Sequence, residues 1–136
     1  MFTRIAHVCL SVTDLDRSIA WYEKLGCQIV FRFTRKGSNF GVYMKLADCA
    51  FIEMFEDPGR GPVVNNGILH FCLETDDIDA TMAELSSRGV ELTPKKLGVD
   101  NTWQFWLEDP DGNRFEVHQY TPASTQFGSG TVEADW

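Results

Sequence analysis

The stretch His7-Val8-Cys9-Leu10 recurs sixty-three residues later as His70-Phe71-Cys72-Leu73. Each copy leads into an acidic segment, Asp14-Leu15-Asp16 and Asp77-Ile78-Asp79, and each then reaches a glycine, Gly26 and Gly89. Residues 7–26 and 70–89 agree at seven of twenty positions without a gap. The same offset joins Glu53, in Phe-Ile-Glu-Met-Phe, to Glu116, in Arg-Phe-Glu-Val-His. A period of this kind reads as two half-sized modules of one supersecondary pattern.

Working outward from the first copy, residues 2–13 alternate as a strand does, with Ala6, Val8, Leu10 and Val12 on one face and Ile5, His7, Cys9 and Ser11 on the other. The first face is the more apolar, so it is expected against a helix, leaving His7 on the opposite surface. Asp14 is a good N-cap, and residues 15–25 place Leu15, Ile19 and Tyr22 on one stripe before Gly26 ends the helix. Strands are predicted over 27–34, 40–46 and 49–55, joined by Lys36-Gly37-Ser38-Asn39 and Ala47-Asp48 as hairpin turns. The second copy repeats the order: a strand over 68–75, a helix over 78–88, and strands near 90–96, 102–107 and 113–120, the last two joined at Asp109-Pro110-Asp111-Gly112-Asn113.

The fold class expected is therefore α+β, with two tandem βαβββ modules forming a cupped, mostly antiparallel sheet around a central site. The first module takes residues 1–56, a linker rich in Pro and Gly takes 57–67, the second module takes 68–120, and a tail of 121–136 completes one overall domain. The tail lacks either period and is expected to be an extended arm or partly disordered, with Trp136 free to dock.

Composition narrows the function. A chain of 136 residues with 43% hydrophobic content can build a real core, and a formal charge of -8 disfavours nucleic acid or an anionic membrane as partner. No apolar run is long enough to span a bilayer and no signal-peptide pattern opens the chain, so a cytoplasmic protein acting on a small molecule is expected. Cys9, Cys27, Cys49 and Cys72 form no CxxC pattern and are read as reduced, with Cys9 and Cys72 serving as small packing groups beside their histidines.

Strand parity allows His7, Glu53, His70 and Glu116 to face one inner surface. Two imidazoles and two carboxylates suit a divalent first-row metal such as Zn, Ni, Co, Mn or Fe, which acts as a Lewis acid while a carboxylate moves a proton. His118 shares the face of Glu116 and is read as a pocket or rim residue. The aromatics Phe31, Phe33, Phe40, Tyr43, Phe51, Phe55, Trp103, Phe105 and Trp106 are expected mostly in the core. Arg32, Arg35, Lys36 and Arg60 read as a solvated hairpin edge, with docking of an anionic substrate as the alternative.

These motifs resemble the vicinal-oxygen-chelate superfamily, which includes glyoxalase I, methylmalonyl-CoA epimerase, fosfomycin-resistance transferases, extradiol dioxygenases and bleomycin-binding proteins. The resemblance spans residues 4–120 and is carried by His7 with Leu10–Ser18, Trp21–Gly26, Phe51-Ile52-Glu53, Gly67–His70 and Glu108–Glu116. It implies metal ligands at His7, Glu53, His70 and Glu116, and a catalytic base at Glu53 or Glu116. It also implies a glyoxalase I-like lyase or isomerase working through a metal-stabilised enediolate. A homodimer is expected, with the site completed within one chain or across two. A two-histidine-one-carboxylate dioxygenase and a non-enzymatic bleomycin-type binding protein are the competing expectations. No glutathione-binding set is apparent, and residues after Tyr120 lie outside the resemblance.

Overall fold

A computed structural model of the protein describes residues 3–61, 67–128 and 131–133. The elements run β1 (His7–Val12), α1 (Leu15–Lys24), β2 (Gln28–Arg35), β3 (Ser38–Ala47), β4 (Ala50–Glu56), β5 (Phe71–Glu74), α2 (Ile78–Ser87), β6 (Lys96–Leu97), β7 (Trp103–Glu108) and β8 (Arg114–Gln119). This is the expected pair of βαβββ modules. Each forms a four-stranded mixed sheet, ordered β1-β4-β3-β2 in one and β5-β8-β7-β6 in the other. The outer pairings β1–β4 and β5–β8 are parallel and the remaining neighbours are antiparallel. Parallel strands need a long crossover connection, and in each module it begins with the helix that follows the first strand.

The repeated Asp and Gly bracket the two helices. Asp14 accepts a hydrogen bond from the Arg17 amide and Asp77 one from the Ala80 amide, both at 2.9 Å, so each caps an otherwise unpaired N-terminal donor. Gly26 and Gly89 take the left-handed conformation, at φ of 90° and 74°, that lets the chain turn back after the last helical carbonyls. A second brace carries the same offset. The Leu15 amide donates to Glu56 and the Ile78 amide to Gln119, each at 3.0 Å, tying helix start to the end of the neighbouring strand.

The chain divides into two compact units, one running to Val64 and including Asp109–Gly112, the other built of 65–108 and 113–136. In the first, Val12, Leu15, Ile19, Tyr22, Cys27, Val42, Met44, Ile52 and Met54 form the buried cluster, so α1 covers the apolar face of its sheet. Val8, Leu10 and Val12 are indeed more buried than His7, Cys9 and Ser11. In the second, Ile78, Leu85, Val90, Phe105, Leu107, Phe115 and Val117 are buried. Burial alternates along β4 and β8, leaving Glu53 and Glu116 on the faces opposite these apolar residues.

Several local expectations change. The strand near 90–96 shrinks to Lys96–Leu97. Pro94 has no amide to donate; beside it the Thr93 amide donates to the Trp106 carbonyl at 2.9 Å and the Thr93 hydroxyl accepts from the Trp106 amide at 2.8 Å. The β2–β3 hairpin closes on Lys36-Gly37, both with positive φ, as a tight two-residue turn requires. The tail is not a simple extended arm as far as residue 128. A short 3-10 turn at Thr125–Phe127 is held by the Thr125 amide on the Asp100 carbonyl, at 2.9 Å, and by Thr121 and Ser124 hydroxyls on the Asn101 carbonyl. Residues 62–66 of the expected linker, and Trp136, lie outside the described residues. Among the described residues no helix is long and apolar enough to cross a membrane.

Candidate metal centre

Each module brings its own histidine and glutamate together. His7 Nε2 lies 3.8 Å from Glu53 Oε2, and His70 Nε2 lies 3.4 Å from Glu116 Oε2. Two ligands bonded to one ion at about 2.0–2.2 Å stand about 3.0–3.5 Å apart. Both pairs therefore match, to within a few tenths of an ångström, the spacing of neighbouring donors on one metal. The imidazoles are about a third or more exposed, at 40% and 34%, while the carboxylates are mostly covered, at 18% and 14%. The carboxylates are thus the more enclosed partners and the imidazoles the more accessible ones.

Register explains the pairing. Cys9 stands beside Glu53 across β1–β4, and Cys72 beside Glu116 across β5–β8, so each histidine sits two residues before the position aligned with its carboxylate. On the other side of the glutamates the antiparallel neighbours are Tyr43 and Trp106. These too are related by the repeat, and each meets its histidine edge-on, His7 with Tyr43 at 5.7 Å and His70 with Trp106 at 4.6 Å between ring centroids. A ring edge against the imidazole restricts its rotation. The aromatic pair was open to recognition in the sequence, but only if the offset was carried through similar rather than identical residues.

The repeated cysteines lie outside the core, beside their histidines. Cys9 and Cys72 are exposed residues, unlike Cys27, and all are free thiols. Local desolvation, then a hydrogen bond to Glu53 and its negative charge, push the Cys9 thiol up to about 11. Desolvation, followed by the charges of Glu116, Glu74 and Asp100, pushes Cys72 up to about 12. One donor atom each from Cys72, Glu116 and His118 lie within 4.8 Å of one another, a group able to hold a metal ion. The neighbour of Cys72 that matters is Glu116, directly across the ladder. His118 places its Nδ1 4.0 Å from Glu116 Oε1 and its ring 4.5 Å from that of Tyr120.

Most of the expected core aromatics line the open faces instead; of those named, only Phe105 is fully buried. In the first module Phe51 packs on Tyr43, Tyr43 on Phe31 and Phe31 on Phe33, with centroids 4.9–5.1 Å apart. Phe33 then reaches Phe55 at 4.9 Å, completing a ring-lined wall on the Glu53 face. Parity put them there: Phe51, Glu53 and Phe55 share a side of β4, while Ile52 and Met54 take the core. In the second module a cleft of about 260 Å³ is lined by Glu91, Thr93, Trp106, Glu108 and Arg114, among others. Of the basic residues, Arg35 stacks on Phe40 at 4.1 Å and Arg60 donates to the Ser11 carbonyl, so both already have local roles.

The sheet topology and the repeated His/Glu pairs define a protein of the glyoxalase-type βαβββ class. The sequence profile of the Glyoxalase/Bleomycin resistance protein/Dioxygenase superfamily matches residues 4–117, and the chain belongs to that superfamily. It is 30% identical over 131 residues to a probable lactoylglutathione lyase of Vibrio parahaemolyticus, covering 89% of this chain and 94% of that protein. It is 27% identical over 136 residues to a cadmium-induced protein of Mycobacterium tuberculosis, covering 94% and 84%. The crystal structure of a glyoxalase family protein from Enterococcus faecalis superposes with a TM-score of 0.77 at 23% identity, covering 86% of this chain and 98% of that one, a likeness of fold.

Proposed function

We propose that this protein is a metal-dependent lyase or isomerase of the glyoxalase I type, acting on a small oxygenated substrate. Its ligand set is His7, Glu53, His70 and Glu116, contributed by one chain or by two copies of a homodimer. The observation that carries this reading is the equivalence of the His7–Glu53 and His70–Glu116 pairs, at 3.8 and 3.4 Å, at repeat-related positions. Two imidazoles and two carboxylates make a mixed N/O donor set for Zn, Ni, Co, Mn or Fe. Such an ion, when bound, supplies a Lewis acid for adjacent substrate oxygens.

The protein's own residues do the rest. Glu53 or Glu116 accepts a proton from the carbon next to a carbonyl and returns it to the neighbouring carbon. Both carboxylates are largely covered, which limits exchange of that proton with water. Tyr43 and Trp106 hold the histidine rings, and the aromatic wall beside Glu53 offers contact to an apolar or ring-bearing part of the substrate. Similarity to a probable lactoylglutathione lyase supports a thiol adduct of a 2-oxoaldehyde as the first substrate to assay.

The aromatic wall also favours a second reading, non-enzymatic capture of a cationic ring-bearing compound, which the formal charge of -8 would assist. Metal analysis of protein purified without chelator, with turnover of carbonyl thiol adducts by the wild type and Glu116→Gln, separates the two. Bound metal and turnover lost in the variant support the enzyme. Compound binding that survives His7→Ala and His70→Ala together, with no metal bound in the wild type, supports capture.

A further inference from the structure

The two halves of the repeat are not chemically equivalent around their glutamates. In the first module the positions aligned with, and two residues beyond, the carboxylate are Cys9, Glu53 and Phe55; in the second they are Cys72, Glu116 and His118. Replacement of a phenylalanine by a histidine converts a thiol–carboxylate pair into a three-donor group. All three donors lie on adjacent strands of one sheet, with Cys72 and Glu116 directly in register and His118 two residues along β8.

We propose that Cys72, Glu116 and His118 form a site for a thiophilic divalent cation of the zinc or cadmium class, distinct from the His/Glu pairs except for the shared Glu116. The donor types decide the class of ion. A thiolate favours a soft or borderline cation, whereas magnesium, calcium and manganese prefer all-oxygen surroundings. The donor atoms all lie within 4.8 Å of one another, and ligands of such a metal stand roughly 3.3–3.8 Å apart, so closure needs a contraction of no more than about 1.5 Å. Side-chain rotation can supply that.

The surroundings suit a partly built site. Cys72 is exposed and open to an arriving ion. His118 is only 14% exposed and packs on Tyr120, which in turn meets Phe127 of the 3-10 turn at 4.7 Å. The C-terminal segment thus orients the imidazole from behind. Binding breaks the S–H bond of Cys72 and forms a sulfur–metal bond, with the proton released to solvent and no change of oxidation state. Water would complete the coordination. This function does not depend on the protein being a lyase.

The test is a titration of chelator-treated full-length protein with Cd²⁺ alone, followed by the ultraviolet thiolate-to-cadmium absorption and by tryptophan emission, since Trp106 stands in register with Glu116. The wild type should develop the thiolate band, and Mg²⁺ should not produce it. Cys72→Ser and Cys72→Ala should abolish it, and His118→Gln should weaken Cd²⁺ affinity roughly 10- to 100-fold. Cys9→Ser and His7→Ala should retain the band. Because His7→Ala removes a ligand only from the proposed catalytic set, failure of that set and failure of this site are read separately. A band that persists in both Cys72 variants, a band lost equally in Cys9→Ser, or Cd²⁺ bound without any thiolate band overturns the proposal.

Discussion

The Tyr22 hydroxyl donates a hydrogen bond to Asp109 Oδ2 at 3.0 Å in the interior of the first compact unit. Burial first, and then the adjacent Asp109 charge, push the phenol far above its ordinary range, so it remains a donor at any working pH. Tyr22→Phe keeps the ring but leaves Asp109 with one fewer donor. The expected loss is about 1–3 kcal/mol of unfolding free energy. Denaturant midpoints at an unchanged slope check it; an unshifted midpoint would show the bond to be energetically idle.

Asp111 gives the acid limb of stability a local source. Its side chain takes hydrogen bonds from the Thr13 hydroxyl, the Ser18 hydroxyl and Arg17, the last at 3.1 Å. Burial works to raise its pKa, but the Thr13 and Arg17 hydrogen bonds and the Arg17 charge outweigh it and hold the carboxyl below the usual range. A depressed folded-state pKa means this contribution is complete above the unfolded-chain value, about 3.9, and is lost as pH falls through the lower folded value. Asp111→Asn should therefore lower stability at neutral pH and flatten its decline below about pH 4. Thermal melts across an acid pH series supply the comparison, and parallel curves would count against the assignment.

Gly41 lies opposite Phe55 in the β3–β4 ladder. A Cβ there would fall 2.5 Å from Phe55 Cδ1 and 2.9 Å from the Met54 carbonyl oxygen. The ring can move, but the carbonyl belongs to the sheet. Gly41→Ala is expected to destabilise by about 1–3 kcal/mol, with a lower melting temperature and disturbed aromatic circular dichroism. Gly37→Ala tests a different cause, since nothing lies within 4 Å and only its φ of 82° opposes the side chain.

The two glutamates carry the proposed chemistry. Glu53→Gln and Glu116→Gln should each reduce turnover about 10²- to 10⁴-fold. Metal content measured on the same preparations distinguishes a lost base from a lost ligand. If Glu53→Gln retains full activity while Glu116→Gln does not, the four-ligand reading fails and a two-histidine-one-carboxylate centre takes its place.

Much of this protein was legible in its sequence because the repeat samples the same local rules twice. Asp14 and Asp77 cap helices, Gly26 and Gly89 end them, and alternation in β4 and β8 separates Glu53 and Glu116 from Ile52, Met54, Phe115 and Val117. Such features depend on neighbours a few residues away. The strand expected near 90–96 failed for the same local reason in reverse, since Pro94 has no amide to donate and the Trp106 amide is accepted by the Thr93 hydroxyl in place of a strand carbonyl.

Lateral strand register and chain crossing were the work of tertiary structure. His7-Val8-Cys9-Leu10 and its second copy determined on their own that two modules carry equivalent histidines. Only the parallel pairings placed Cys9 and Cys72 beside the carboxylates and so brought Cys72 to Glu116 and His118 as a three-donor group, while the antiparallel ladders joined Phe31, Tyr43 and Phe51 into a continuous wall. Nor does the motif Asp109-Pro110-Asp111-Gly112 announce that its carboxylates anchor α1 as well as shaping a turn. Periodicity along a chain records which face a side chain takes; what stands across the ladder depends on register and long-range closure, which link residues tens of positions apart.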